Sequence, residues 1–274
     1  MTILDTLATE ARQRVEADLA QTSLAEMTRR ALDTPVQPGF PFEQALAVPG
    51  LSFICEVKKA SPSRGLIAPD FPYLEIARDY QLGGAAAMSV LTEPKRFLGS
   101  DQVLAQIRAL ATIPLLRKDF TVSAYQIYQA RALGASAVLL ICAIISDTQL
   151  SEYLGLAEQL GLSALTEAHD EDEAERAVRA GARVIGVNNR NLHDFSVDTN
   201  NSSSLRGLIP PDRLFVSESG VKGPEDAARA AQMGADAVLV GESLMRAQNR
   251  PEFLCQLIAA SRVGAAVVPQ SVEK

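Results

Sequence analysis

Four segments of this 274-residue chain repeat one pattern. LGGAAAMSVL, LGASAVLLI, AGARVIGV and MGADAVLVG each run from a helix end through Gly-Ala into an apolar strand. Their glycines, Gly84, Gly134, Gly181 and Gly234, stand 50, 47 and 53 residues apart. Each interval holds two strand–helix units, so four such starts on alternate strands imply eight strands. Eight close naturally as a parallel (β/α)8 TIM barrel rather than an open sheet. Gly-Ala is also a common helix stop, but chance does not reproduce the spacing. A dinucleotide-binding open sheet would want G-x-G-x-x-G after its first strand, and none is there.

The rest of the pattern agrees. Apolar runs at 51–57, 85–91, 114–118, 136–142, 162–166, 183–187, 214–217 and 236–240 read as strands. Amphipathic stretches at 73–82, 101–110, 124–133, 148–160, 171–180, 225–233 and 252–261 read as the helices between them. Ser146-Asp147 and Asp170 are capping types, Pro224 falls at a first-turn position, and Gly134, Gly161, Gly181 and Gly234 are placed to end helices. Leu4, Leu7, Ala11, Val15 and Leu19 keep helical spacing, and Leu24, Met27, Ala31 and Leu32 suggest a second short helix. Residues 1–48 therefore read as an N-terminal helical extension on a single barrel domain spanning 1–274. Pro35, Pro38, Gly39 and Pro41 form the connection.

Composition narrows the class. The chain is 47% hydrophobic and only 5% aromatic, without Trp, which suits parallel α/β packing. A net charge of −7 argues against a nucleic-acid or anionic-membrane surface, so any anionic ligand must be held by local positive groups. Cys55, Cys142 and Cys255 are far apart in apolar contexts and read as buried reduced thiols, and His169 and His193 are too few for a zinc cluster. MTILDTLATEARQRVEADLA has no apolar h-region and reads as no signal peptide, and no run reaches transmembrane length. The expected setting is cytoplasmic, with no metal or cofactor.

In a barrel of this kind the active site lies at the C-terminal ends of the strands. ICEVKKASPSRG starts as a buried strand, then places Glu56 and Lys58 two residues apart and so on one face. LLRKDF offers Lys118, LTEAHD Glu167, GVNNRNL Asn188 and Arg190, and FVSESGV Glu218 and Ser219. Two lysines, three glutamates and an asparagine would thus converge at one mouth. Ser219-Gly220 and Gly241-Glu242-Ser243 put glycine turns after strands seven and eight, where backbone N–H groups can face a phosphate. Lys59 should point away from Lys58. The acidic run 170–173 reads as first-turn pairing with a helix dipole, not as a metal site.

EVKKASPSRG, LLRKDF, ALTEAHD, GVNNRNL, SESGV and LVGESLM, in this order, resemble the motif set of the indole-3-glycerol-phosphate synthase family over residues 1 to about 262. That family is a (β/α)8 barrel with an N-terminal helical extension. It converts the phosphorylated small molecule 1-(2-carboxyphenylamino)-1-deoxyribulose 5-phosphate to indole-3-glycerol phosphate, releasing carbon dioxide and water, in tryptophan biosynthesis.

The resemblance implies roles. Lys118 matches the principal general acid, protonating the carbonyl oxygen as the anilino ring carbon attacks. Lys58 matches the lysine associated with the substrate carboxylate and the later acid step. Glu167 matches the general base of dehydration, Glu56 an assisting carboxylate, and Asn188 the residue orienting catalytic groups. Glu218 and Ser219 match a substrate-binding pair, with Ser219, Gly220, Ser61 in the loop after strand one, and the Gly241 backbone at the phosphate. Arg190 either binds the substrate carboxylate or braces Glu56. Phe120 serves as an apolar wall or as simple core. Glu242 is credited with its backbone alone, because an acid beside a phosphate is unfavourable. Which lysine protonates which oxygen stays open.

Two rivals are weaker. Phosphoribosylanthranilate isomerase would rest on a Cys and Asp acid–base pair and has no call for this lysine set. A non-catalytic phosphosugar-binding barrel would have lost Lys58, Lys118 or Glu167. No second catalytic domain is expected after residue 262, and no obligate protein partner.

Overall fold

The four repeat glycines all take left-handed backbone, with φ of 91° at Gly84, 79° at Gly134, 84° at Gly181 and 78° at Gly234. Each releases a helix end into the following barrel strand, a conformation that a Cβ would strain. The computed structural model describes residues 3–191 and 194–265. Met1 and Thr2 of the expected extension, Leu192 and His193 after strand six, and the tail 266–274 lie outside the described residues.

β1 (Ser52–Val57) leads into a small antiparallel hairpin of β2 (Ala60–Ser61) and β3 (Gly65–Leu66). The other strands are β4 (Ala87–Leu91), β5 (Leu115–Lys118), β6 (Ala137–Ile141), β7 (Ser163–Ala168), β8 (Val184–Asn188), β9 (Leu214–Glu218) and β10 (Ala237–Val240). Together with β1 these seven close a parallel barrel in chain order, β10 pairing back onto β1. The helices are α1 (Ile3–Gln21), α2 (Leu24–Asp33), α3 (Pro41–Leu46), α4 (Tyr73–Leu82), α5 (Asp101–Leu110), α6 (Ala124–Ala132), α7 (Asp147–Gln159), α8 (Glu171–Arg179), α9 (Asn200–Leu205), α10 (Pro224–Gln232), α11 (Glu242–Arg246) and α12 (Arg250–Ala265).

Strand alternation sorts the side chains into two cores. Phe53, Cys55, Met88, Leu115, Leu140, Ile185, Phe215 and Val238 face outward into the layer shared with the helices. Ile54, Ala87, Leu116, Leu139, Leu165, Val184, Val216 and Leu239 fill the barrel interior. Two residues beyond Ile54, Leu116, Leu165, Val184 and Val216 on the inward faces come Glu56, Lys118, Glu167, Gly186 and Glu218. The apolar floor and the polar mouth are therefore successive layers of one pattern.

Three local expectations need correction. The Pro-rich connection is not all loop, since Pro41 opens α3 at its first turn, where its missing N–H costs nothing. Phe42 and Leu46 of that helix plug the barrel beside the start of β1, and Ser52 Oγ donates to the Ala45 carbonyl at 3.2 Å. Ser61 lies not in an open loop but in β2, paired with Gly65. Leu19, Leu24 and Leu32 are exposed, whereas Leu7, Ala11, Val15, Met27 and Ala31 supply the buried faces of α1 and α2.

Capping follows the expected chemistry. Ser146 accepts from Gln149 N–H, and the Gln149 side chain reciprocates. Asp170 accepts from Glu173 N–H at 2.9 Å, which starts α8. Among the described residues no helix is long and apolar enough to cross a membrane.

Candidate active site

At the C-terminal ends of the strands a cavity of about 540 Å3 opens, and its middle is charged. Lys118 Nζ, from the end of β5, lies 2.8 Å from Glu167 Oε2 on β7 and 3.2 Å from Glu218 Oε2 on β9. Both carboxylates are almost fully buried, at 3% and 2% exposure, so the lysine is their main source of compensation. Asn188 Nδ2 donates to Glu167 Oε1 at 3.2 Å, and Asn188 Oδ1 accepts from Ser219 Oγ at 2.9 Å. Register sets these neighbours, with Asn188 pairing Glu218 and Gly186 pairing Glu167. Glu56 and Lys58 form a second ion pair on the β1 side of the same cavity.

Two glycines make the room. A Cβ on Gly186 would fall well inside contact distance of Glu218 Oε1 and 3.0 Å from Leu165 Cδ1. A Cβ on Gly241 would collide likewise with Glu56 Oε2 and lie 3.0 Å from Lys58 Nζ. Gly241, expected to matter for its N–H, is thus also required to be small.

The cluster pushes its protonation states apart. Burial would lower the Lys118 pKa, but the charges of Glu167, Glu218 and Glu56 outweigh it and hold the ammonium well above its ordinary value. Burial would raise Glu167, yet the Lys118 charge and the His169 contact hold its carboxyl far below the usual range. Glu218 goes the other way, as burial and the Glu167 charge raise it to about 8 against the pull of Lys118. Its Oε1 is buried without a hydrogen-bond partner, which a protonated carboxyl tolerates better than a carboxylate. One anionic and one neutral carboxyl around an ammonium is the division of labour that acid–base chemistry needs.

One end of the cavity is cationic and glycine-turned. Ser219 and Gly220 both have positive φ, 65° and 104°, so the chain doubles back immediately after β9. Ser243 Oγ donates to the Val221 carbonyl at 2.9 Å, tying the turn after β10 to that after β9. Ser61, Arg64, Lys222 and Arg246 belong to the same cavity lining. Glu242 accepts from Arg64 at 3.1 Å and from Arg246 at 3.2 Å. The other end is apolar, with Leu4 and Leu7 of α1 beside Phe97, Phe120, Leu139 and Ile141. Phe120 is both wall and core, buried against Phe97 with ring centroids 6.1 Å apart. Buried Asp119 binds Arg14 of α1, Thr92 Oγ1 at 2.6 Å and Phe120 N–H at 2.8 Å, fastening the extension beside Lys118.

The structure thus brings Glu56, Lys58, Ser61, Lys118, Phe120, Glu167, Asn188, Arg190, Glu218, Ser219, Gly220 and Gly241 around one cavity. Two of them are placed by specific contacts. Glu218 faces Lys118, not the phosphate turns, because alternation sends it inward while Ser219 rises to the rim. Arg190 Nη1 donates to the Phe195 carbonyl at 3.0 Å. Arg64, Lys222, Arg246 and the α1 residues went unrecognised in the sequence, since loop and helix positions carry no alternation to read. His169 also went unrecognised, although it follows Glu167 by two residues, the spacing that identified Glu56 and Lys58. Cys55 and Cys142 are buried, with burial pushing Cys142 up to about 12. Cys255, expected to be buried, is instead exposed on α12, because it falls on the solvent side of that helix beside buried Leu254. Among the described residues no group of three or more His, Cys, Asp or Glu can hold a metal ion.

Comparison with known proteins agrees with the geometry. The sequence model of indole-3-glycerol phosphate synthase matches residues 4–257. The chain is 49% identical to the indole-3-glycerol phosphate synthase of Ruminiclostridium cellulolyticum over 93% of this chain and 98% of that protein. It is 50% identical to that of Endomicrobium trichonymphae over 93% and 99%. Among solved structures it is similar to the thiamine phosphate pyrophosphorylase from Pyrococcus furiosus, with a TM-score of 0.60 at 16% identity over 78% of this chain and 96% of the other. A 3-hexulose-6-phosphate synthase gives 0.61 at 14% identity over 77% and 99%. At such identities these two speak to the barrel alone.

Proposed function

The chain belongs to the indole-3-glycerol phosphate synthase family and is a carboxy-lyase of tryptophan biosynthesis, and from that premise we propose which of its residues carry the reaction. The substrate, 1-(2-carboxyphenylamino)-1-deoxyribulose 5-phosphate, has an aromatic acid at one end, a phosphate at the other and a carbonyl between. The cavity offers a counterpart to each: an apolar wall, an acid–base cluster and cationic glycine turns.

In this reading the Ser219–Gly220 and Gly241 backbones, with Ser61, take the phosphate, and Arg64, Lys222 and Arg246 supply the positive field. The ring lies against Phe120, Phe97 and Leu7. Lys118 protonates the carbonyl oxygen as the ring carbon attacks, turning a poor electrophile into an activated one. Lys58, held by Glu56, pairs with the substrate carboxylate, and carbon dioxide leaves as the ring regains aromaticity. Arg190 supplements that charge. Dehydration then needs a hydroxyl protonated and a C–H proton removed. Lys58 serves the first and the carboxylate of Glu167 the second, while Asn188 orients Glu167 and substrate hydroxyls. Glu218, kept neutral, limits the negative charge around Lys118.

The observation that carries the reading is Lys118 seated between Glu167 and Glu218 in a cavity lined by both apolar and cationic side chains. Beyond the phosphorylated substrate we propose no obligate protein or nucleic-acid partner, one barrel domain with its extension, and a cytoplasmic setting. The test is incubation of purified protein with the substrate, following indole absorbance and released carbon dioxide. The reading expects equal amounts of both from wild type and loss of turnover in Glu167→Gln. Full turnover in that variant would contradict it.

A further inference from the structure

We propose that His169 is a positioning residue for Glu167, clamped between two carboxylates so that the base stays ionised and aimed from one turnover to the next. The proposal rests on the reading of Glu167 as the base of dehydration.

The geometry comes from strand and helix together. β7 ends at Ala168, and His169 continues its alternation on the same face as Glu167. Its Nδ1 lies 3.0 Å from Glu173 Oε2 in a hydrogen bond, and its Nε2, buried and without a hydrogen-bond partner, lies at ion-pair distance, 3.3 Å, from Glu167 Oε1. Glu173 Oε2 also accepts the His169 backbone N–H at 2.8 Å, and Asn201 Nδ2 donates to the His169 carbonyl at 3.0 Å. The backbone on both sides of the ring is therefore held as well.

Two ring nitrogens that each face a carboxylate can both be satisfied only as donors, which makes the ring an imidazolium. Burial opposes that charge, but the contacts with the Glu167 and Glu173 carboxylates outweigh it and raise His169 to about 10. The other groups around this chain of charges are Lys118 from β5, Asn188 from β8, Glu218 from β9, Arg176 from α8 and the Cys142 thiol after β6. Lys118 is a donor to Glu167, but as the proposed acid its proton is spent on the substrate. At that moment His169 is the cation left beside Glu167. It keeps the carboxylate from taking the proton it must later take from carbon.

Glu173 has a double use. It belongs to the acidic first turn of α8, where a carboxylate opposes the positive end of the helix, and it fixes the imidazolium. A purely structural staple between β7 and α8 would need the same contacts, so stability alone does not separate the two roles.

The pH profile does separate them. In His169→Gln an amide still fills the space without charge. The proposal expects kcat to fall roughly tenfold or more, the worth of one charge-assisted hydrogen bond, with KM changed far less. It also expects the acidic limb of kcat/KM to move up by about one to three pH units, since a cation beside a carboxylate lowers its pKa by that order. A folded His169→Gln with wild-type kcat and an unmoved acidic limb overturns the proposal.

A second readout needs no variant at position 169. The chain has two histidines, so His193→Gln leaves one imidazole to follow by 15N ring chemical shifts. The expected result is an imidazolium that persists above about pH 8 and titrates lower in Glu173→Gln. Titration near its ordinary value overturns the proposal even if His169→Gln does not fold. Glu167→Gln serves as the control. Loss of activity there with an indifferent His169→Gln sinks only the positioning role, whereas full activity there sinks the reading of Glu167 itself.

Discussion

Gly186 and Glu218 face each other across β8 and β9 so closely that a single methyl group at 186 would occupy the place of the Glu218 carboxyl. The acid–base cluster is therefore specified partly by a side chain that is absent. Gly186→Ala should push Glu218 off Lys118 and crowd Leu165. The expected loss is about 1–3 kcal/mol of stability, typical of overpacking, and at least tenfold in kcat with the secondary structure intact. Thermal unfolding and steady-state kinetics on the same preparation check both.

Glu218 itself should leave a mark on the pH dependence of stability. Its ordinary pKa is 4.5 and its folded value about 8. Between these values the folded protein keeps a proton that the unfolded chain has released, so this group makes stability fall as pH rises and contributes no further slope above about 8. Glu218→Gln is neutral throughout and removes that slope. Its Tm relative to wild type should rise by about 4 °C or more between about pH 5 and about pH 8.5. A Tm difference independent of pH would show that Glu218 ionises normally in the folded protein.

The extension should matter for both stability and substrate binding. Arg14 of α1 pairs with buried Asp119, whose remaining cation, Arg117, lies 3.4 Å away. Arg14→Ala leaves that carboxylate under-compensated, at an expected cost of about 1–3 kcal/mol. Because Leu4 and Leu7 of the same helix wall the cavity, KM should rise more than kcat falls. Equal effects on both constants would count against a role for α1 in binding.

Arg246 and Glu242 should act in opposite directions. Glu242 holds both Arg64 and Arg246 at the cationic end, where a carboxylate opposes a phosphate. Arg246→Ala should raise KM roughly tenfold with little change in kcat, as expected for one lost charge-assisted contact. Glu242→Gln should lower KM and sharpen inhibition by inorganic phosphate. Substrate titrations of the two variants, run at one salt concentration, decide it.

The barrel was legible because its repeat and its alternation are set by local chemistry. Gly84, Gly134, Gly181 and Gly234 mark the turns, and the same two-residue period that fills the interior with Ile54, Leu116 and Leu165 delivers Glu56, Lys118 and Glu167 to the mouth. What escaped depends on contacts between distant elements. Nothing near Arg14 signals Asp119, 105 residues away. Pro41 looked like a connector because proline both breaks helices and opens them. Gly186 reads as an ordinary strand residue until Glu218 is seen opposite. His169 keeps with Glu167 the same two-residue spacing as Glu56 and Lys58, but its contact with Glu173 is not legible, because Glu173 reads in sequence only as a first-turn acid of α8.

The central claim is that Lys118, between Glu167 and Glu218, is the acid that drives ring closure, and the kcat of Lys118→Ala beside wild type tests it most directly. With indole absorbance as the readout, a folded Lys118→Ala should turn over about 10²- to 10⁴-fold more slowly, the usual worth of a general acid, while KM changes by no more than a few-fold. Wild-type turnover in that variant would contradict the claim.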